Sequence, residues 1–285
     1  MTKPIVKFNT AHQPEFFQVL RKKVNQHFKD NNISRYANLN MKAKTVFMIC
    51  LYFVPLGLMI AGVFTSALTV MLMWILMGLG MSGIGLSIMH DANHGSYSKN
   101  QKVNNALGFL VNFLGAYHIN WKIQHNVLHH SYTNVDGLDD DLNNAVMRFS
   151  PNQERKGIHK FQVFYAPFFY GIMTIYWLIS KDFKDLVEHH KNNLLEKQGI
   201  TFRKALSSVI FNKTWYIALT LIVPMVVIPL PWWQILLGFL LMQFICGLLL
   251  ALIFQPAHVI EETDFFDPRD NNGSMENNWA IHQMK

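Results

Sequence analysis

The sequence predicts an all-α integral membrane protein: four transmembrane helices, arranged as two hairpins, under a cytoplasmic helical cap. Three observations predict it. Apolar residues make up 51% of the chain and charged residues only 15%, whereas charged residues form about 25% of an ordinary soluble domain. Two long stretches, Thr45 to Met89 and Thr214 to Gln255, contain no Asp, Glu, Lys or Arg, and each is about twice the ~20 residues a helix needs to cross a bilayer. The Lys and Arg residues all lie elsewhere: nine before residue 45, seven in 90–160, seven in 181–213 and two after 255. Because cytoplasmic loops carry the excess of basic residues, both termini and the whole middle segment are expected on the cytoplasmic face.

Residues 1–44 form a cytoplasmic amphipathic segment, with Phe16, Phe17, Leu20, Val24 and Phe28 at helical spacing among Arg21, Lys22, Lys23 and Lys29. The first hairpin occupies 45–89, with spans near 45–64 and 66–89 and a turn at Thr65-Ser66. Residues 90–212 form the cytoplasmic and interfacial cap. Within it, Ala106 to Tyr117 is too short to cross and is expected to dip into the interface. Phe161 to Ser180 is uncharged and long enough to span. Were it to cross, however, the seven basic residues of 181–213 would lie outside, so an interfacial helix is expected. The second hairpin occupies 213–255, with spans near 213–229 and 232–255 and a turn at Pro229-Leu230-Pro231, and 256–285 is a cytoplasmic tail. Cys50 and Cys246 fall inside spans and read as packing residues. The net charge of +7 suits anionic lipid headgroups, and nucleic acid is not an expected partner.

The chemistry is carried by histidines. Trp121 to His130 contains His125, His129 and His130 in an HxxxHH pattern, and His90 and His94 form an earlier HxxxH pair. If Trp121 to His130 is α-helical, His125 and His129 share a face, while His130 points about 100° further round, so the three imidazoles can serve two adjacent metal ions. His258 follows the last span just as His90 follows the second. Asp91, Asp140 and Asp141 are expected to hold the far ring nitrogens of metal-bound imidazoles. Asp136 and Asp139 fit a solvated turn equally well. An EF-hand is excluded, because Met147 stands where the loop starting at Asp136 would need an acidic ligand. His118 reads as a polar tip at the membrane surface and Trp121 as an interfacial anchor. His12, His27, His159, His189 and His190 read as solvent-exposed. Many imidazoles with no cysteine ligands suit iron or zinc, and six candidates on one face (His90, His94, His125, His129, His130, His258) favour two ions over a single hydrolytic zinc.

On these residues the chain resembles the membrane fatty acid desaturases, in particular the acyl-CoA or acyl-lipid group that includes the front-end enzymes. The resemblance rests on His90-Asp-Ala-Asn-His94, on Trp121-Lys122 leading to His125-Asn-Val-Leu-His129-His130, on Tyr132-Thr-Asn with Gly137 and Asp139 to Asp141, and on Gln255-Pro-Ala-His258. It implies a histidine-bound centre of two non-haem irons and a tunnel for the acyl chain. It further implies O2 as co-substrate, a CoA- or lipid-linked acyl substrate, and electrons from a ferredoxin or a b-type cytochrome. With no His-Pro-Gly-Gly stretch of a fused cytochrome, the donor is expected to be a separate protein. The family's last histidine box, Gln-x-x-His-His, does not occur before Lys285, so the chain is expected to be truncated and inactive by itself, with His282 a partial substitute ligand. A di-iron lipid hydroxylase and a catalytically inactive desaturase-like membrane protein are the alternatives.

Overall fold

The computed structural model describes residues 6–142, 146–268 and 273–284. Asn144, at the end of the acidic stretch, and Lys285 lie outside the described residues. In chain order, a short strand β1 (Lys7–Phe8) precedes α1 (Phe16–Asp30) and α2 (Leu39–Ile60). The third helix, α3 (Ala67–Asn93), contains a π-helical turn at Ile84–Met89. After it come α4 (Gln101–Gly108) and α5 (His118–Lys122), the latter running on as a π-helix, Ile123–His129. Helices α6 (Gly157–Gly171) and α7 (Met173–Lys191) are bent by 55° at their junction. Two long helices, α8 (Phe202–Val227) and α9 (Trp232–His258), precede β2 (Ser274–Met275) and α10 (Trp279–His282).

Four helices, α2, α3, α8 and α9, are long and apolar enough to cross a membrane, and the bent pair α6–α7 passes the same test jointly. The chain is thus a predominantly helical membrane protein. The helices begin earlier or end later than the uncharged stretches, because helix ends follow caps and not hydropathy. Asn38 caps α2 by accepting from Met41 N, Ser66 caps α3 by accepting from Thr69 N, and Thr201 caps α8 by accepting from Lys204 N. At their far ends, α3 runs through His90 and α9 runs through His258.

The chain divides into two compact units. One comprises Tyr36–Ile123 and Phe164–Phe254 and contains the four long apolar helices. Its core is built from Tyr52, Leu56, Trp74, Met77, Met81, Tyr216, Phe239, Met242 and their neighbours. Small residues let its helices approach closely, as is usual where lipid supplies no hydrophobic drive between helices. A Cβ at Gly80 on α3 would sit 2.7 Å from Tyr52 N on α2, and one at Gly247 on α9 would sit 2.6 Å from Tyr170 O on α6.

The other unit comprises Met1–Arg35, Gln124–Val163 and Gln255–Lys285. Parallel pairing of β1 with β2 sets Lys7 against Ser274 and Phe8 against Met275. Val135, Leu138 and Met275 form its small core, with Phe8, Tyr132 and Phe266 packed around them. Helix α1 buries none of its residues, and its Phe17 ring meets Trp279 edge-on.

Candidate metal centre

The second histidine box does not keep α-helical register. From Ile123 the backbone is π-helical, and His130 N donates to His125 O at 3.1 Å, an i→i+5 bond. This corrects the α-helical expectation that His130 points about 100° further round than His129. The wider turn brings the His125 and His130 rings together, with Nε2 atoms 3.2 Å apart. Such π-turns are rare and recur at functional sites.

His129 and His258 form a matching pair, with their Nε2 atoms also 3.2 Å apart. Behind each pair stands a carboxylate. His129 Nδ1 lies 2.8 Å from Asp139 Oδ1, and His125 Nδ1 lies 3.4 Å from Asp141 Oδ2. Asp139 is itself fixed, accepting from Asn134 N at 2.9 Å and from Asp141 N at 3.0 Å, while Gln124 Nε2 donates to Asp141 at 2.6 Å. The sequence reading paired Asp140 with Asp141 and left Asp139 undecided; the carboxylate held against His129 is Asp139, fully buried.

Charge and burial oppose each other here. Burial alone would lower the pKa of His129, but the bond to Asp139 and the nearby Asp141 charge raise it on balance. Burial would likewise raise Asp141, yet the bond from His125 and the His129 charge hold it well below the usual carboxylate range. A carboxylate on Nδ1 fixes the tautomer that leaves Nε2 with a free lone pair. The Nε2 lone pairs of His125 and His129 therefore point to where His130 and His258 bring their own Nε2 atoms within 3.2 Å, a cluster of imidazole nitrogens with the donor chemistry of a metal site. One ligand atom from each of His125, His129 and Asp141 also falls within 4.8 Å of the other two, so these residues could hold a metal ion.

His282 does not offer its Nε2 in the way a ligand would. That atom lies 2.7 Å from Thr133 O, so it is protonated and donating. The ring lies against Phe266 and Phe8, tilted to each, with centroids at 4.5 and 5.2 Å.

In the helical unit, His90 and His94 keep α-helical register, with His94 N donating to His90 O at 3.1 Å. Their rings meet with centroids 4.5 Å apart, and His90 Nδ1 lies 3.3 Å from Asp91 Oδ1. Trp121, expected as an interfacial anchor, is buried instead. Its ring lies edge-on to both imidazoles at 5.9 and 6.2 Å. His118 is half-buried and accepts from Asn112 Nδ2 at 3.2 Å; burial, reinforced by Lys122, lowers its pKa to about 4. His189, expected in solvent, is buried, because Asp182, Leu186 and His189 recur at i, i+4 and i+7 on the inner face of α7.

A buried ion pair lies in the same unit. Lys213 Nζ donates to Asp182 Oδ2 at 2.7 Å, Trp177 O at 2.8 Å and Gly115 O at 2.9 Å. Asp182 in turn accepts from Tyr117 N at 2.9 Å and from Asn120 Nδ2 at 3.2 Å, locking the first turn of α5. Hydropathy gave no sign of it, since Lys213 sits at the edge of an apolar run and Asp182 within a polar helix.

The family model for fatty acid desaturases matches residues 65–284. An sn-1 linoleoyl-lipid 6-desaturase of Arthrospira platensis is 30% identical over 100% of this chain and 76% of its own length. One of the same description from Synechocystis sp. is 27% identical over 95% of this chain and 74% of its own length. An acyl-lipid (8-3)-desaturase of Physcomitrium patens is 29% identical over 99% of this chain and 58% of its own length. No solved structure gives a significant match. The matched region takes in both histidine boxes and all but the first of the four long apolar helices, and the chain belongs to the fatty acid desaturase family, membrane oxidoreductases of lipid metabolism.

Proposed function

We propose that this chain introduces a cis double bond into a lipid-linked acyl chain, with His90, His94, His125, His129, His130 and His258 as ligands to two irons. The observation that carries the reading is the doubled arrangement at the second box. Two imidazole pairs face each other through Nε2 at 3.2 Å, and carboxylates stand behind His125 and His129. When bound, two irons supply two-electron activation of O2. Overall, O2, two electrons from a carrier and two protons combine with the two hydrogens removed from adjacent methylenes, giving an alkene and two waters.

The protein's own part is orientation and proton placement. Asp139 and Asp141 hold protons on the Nδ1 atoms of His129 and His125, which keeps each Nε2 lone pair available and its ring fixed. Trp121 packs edge-on beside His90 and His94. An acyl-lipid substrate is favoured over a CoA ester because the relatives in Arthrospira and Synechocystis bear linoleoyl-lipid names. The distribution of Lys and Arg favours a cytoplasmic active face, where a ferredoxin or b-type cytochrome could deliver electrons.

Gas chromatography of lipids from cells expressing the chain tests the reading, alongside iron analysis of the purified protein. A new alkene is expected, abolished by His129→Ala; no new alkene from the unsubstituted chain would overturn this reading in favour of the sequence expectation that the chain is inactive by itself. A hydroxy acid with no new alkene would reverse the assignment.

A further inference from the structure

The π-turn that pairs His125 with His130 runs out at His129, where Tyr132 N donates to Leu128 O at 3.0 Å and to His129 O at 3.1 Å. Two side chains from the far end of the sequence meet carbonyls just past that turn. Trp279 Nε1 donates to His130 O at 3.0 Å, and His282 Nε2 donates to Thr133 O at 2.7 Å. Both donors sit on α10, which is fixed at its own N-terminus. Asn278 accepts from Ile281 N at 3.0 Å, and its amide donates to His12 O at 2.6 Å and Gln13 O at 3.0 Å. A third tie, Thr133 Oγ1 to Gln283 Oε1 at 3.0 Å, joins the same two segments.

We propose that Trp279 and His282 are positioning residues that hold the second histidine box in its π register. Without them the turn can relax to the commoner i→i+4 pattern, which puts His130 about 140° round the helix from His125. The donated bonds come from a segment more than a hundred residues away in sequence, so the register is set by tertiary contacts and not by local propensity. This inference rests on the proposed metal-binding role of the box.

The test is Co(II) titration of the purified chain in detergent, followed by the visible d–d spectrum, with circular dichroism as a check on folding. Trp279→Phe keeps the ring and removes only the N–H. His282→Ala removes the second donor, and His282→Gln restores an N–H at nearly the same reach. The unsubstituted chain is expected to bind Co(II), Trp279→Phe and His282→Ala about 10- to 100-fold more weakly and with altered bands, and His282→Gln close to the unsubstituted chain. Should His282→Ala not fold, Trp279→Phe alone decides. No Co(II) binding by the unsubstituted chain would overturn the metal reading and this one with it. Full binding with an unaltered spectrum in Trp279→Phe and His282→Ala would overturn only the positioning role.

Discussion

His129 Nδ1 lies 2.8 Å from Asp139 Oδ1, and both side chains are sealed from solvent. By contrast His125 Nδ1 stands 3.4 Å from Asp141, whose side chain is 30% exposed. A shorter, buried bond fixes its ring more firmly, since a lower local dielectric strengthens a hydrogen bond and makes an unpaired group costlier. Asp139→Ala should therefore lower metal affinity more than Asp141→Ala, by about 10- to 100-fold against the unsubstituted chain. Chelator competition on the purified variants measures the order. Equal losses would show that the two carboxylates do the same job.

Lys213 and Asp182 predict a different signature, one of stability. Removing one member of a buried ion pair leaves an uncompensated charge and costs about 3–5 kcal/mol, whereas removing both charges is often close to neutral. Lys213→Met should lower the unfolding temperature in detergent sharply. The double variant Lys213→Met, Asp182→Asn should recover much of the loss, because the Asn oxygen can still accept from Tyr117 N. If the double variant were as unstable as the single one, the pair would not be the source of the effect.

The sequence made the membrane class and the histidine set readable for different reasons. Charge-free runs from Thr45 and from Thr214 announce spans because a bilayer tolerates no stray charges, so α2, α3, α8 and α9 were visible in outline. His90 and His94 were correctly spaced because their turn is α-helical. His130 was misplaced because nothing in Gln-His-Asn-Val-Leu-His marks a π-turn, whose register is held from outside the segment. Asp139 looked like any other member of a run of aspartates, and only the folded turn at Asn134 and Gly137, both with positive φ, aims it at His129. Trp121 and His189 read as surface residues, since single-residue rules for aromatic belts and polar helices cannot see what packs against them.

Burial of His118 makes a pH prediction. Its folded pKa, about 4, lies below the ordinary value of 6.5 because burial and Lys122 disfavour the charged ring. The unfolded chain then takes up a proton first as the pH falls. His118 thus costs nothing above pH 6.5 and destabilises progressively between 6.5 and about 4. Replacing it by Gln, which can still meet Asn112, should flatten the acid side of the stability curve relative to the unsubstituted chain. Parallel pH-dependent unfolding curves for the two proteins would rule the assignment out.

Gly80 sets how closely α2 and α3 approach. A Cβ there would lie 2.7 Å from Tyr52 N, 2.8 Å from the carbonyl carbon of Leu51 and 3.1 Å from Met48 O. These are backbone atoms of a regular helix, so no rotamer change can make room and the helices must part. Overpacking of this kind costs about 1–3 kcal/mol in a well-packed core, and separation of the pair also loosens the contacts of Tyr52 and Met81 in the core they share. Gly57, on α2, has nothing within 4 Å of its ideal Cβ and serves as the control. Gly80→Ala should lower the unfolding temperature in detergent, while Gly57→Ala should hold or raise it, since alanine favours a helix by about 0.8–1 kcal/mol over glycine. Equal unfolding temperatures for the two variants would mean that close helix approach at Gly80 contributes nothing to stability.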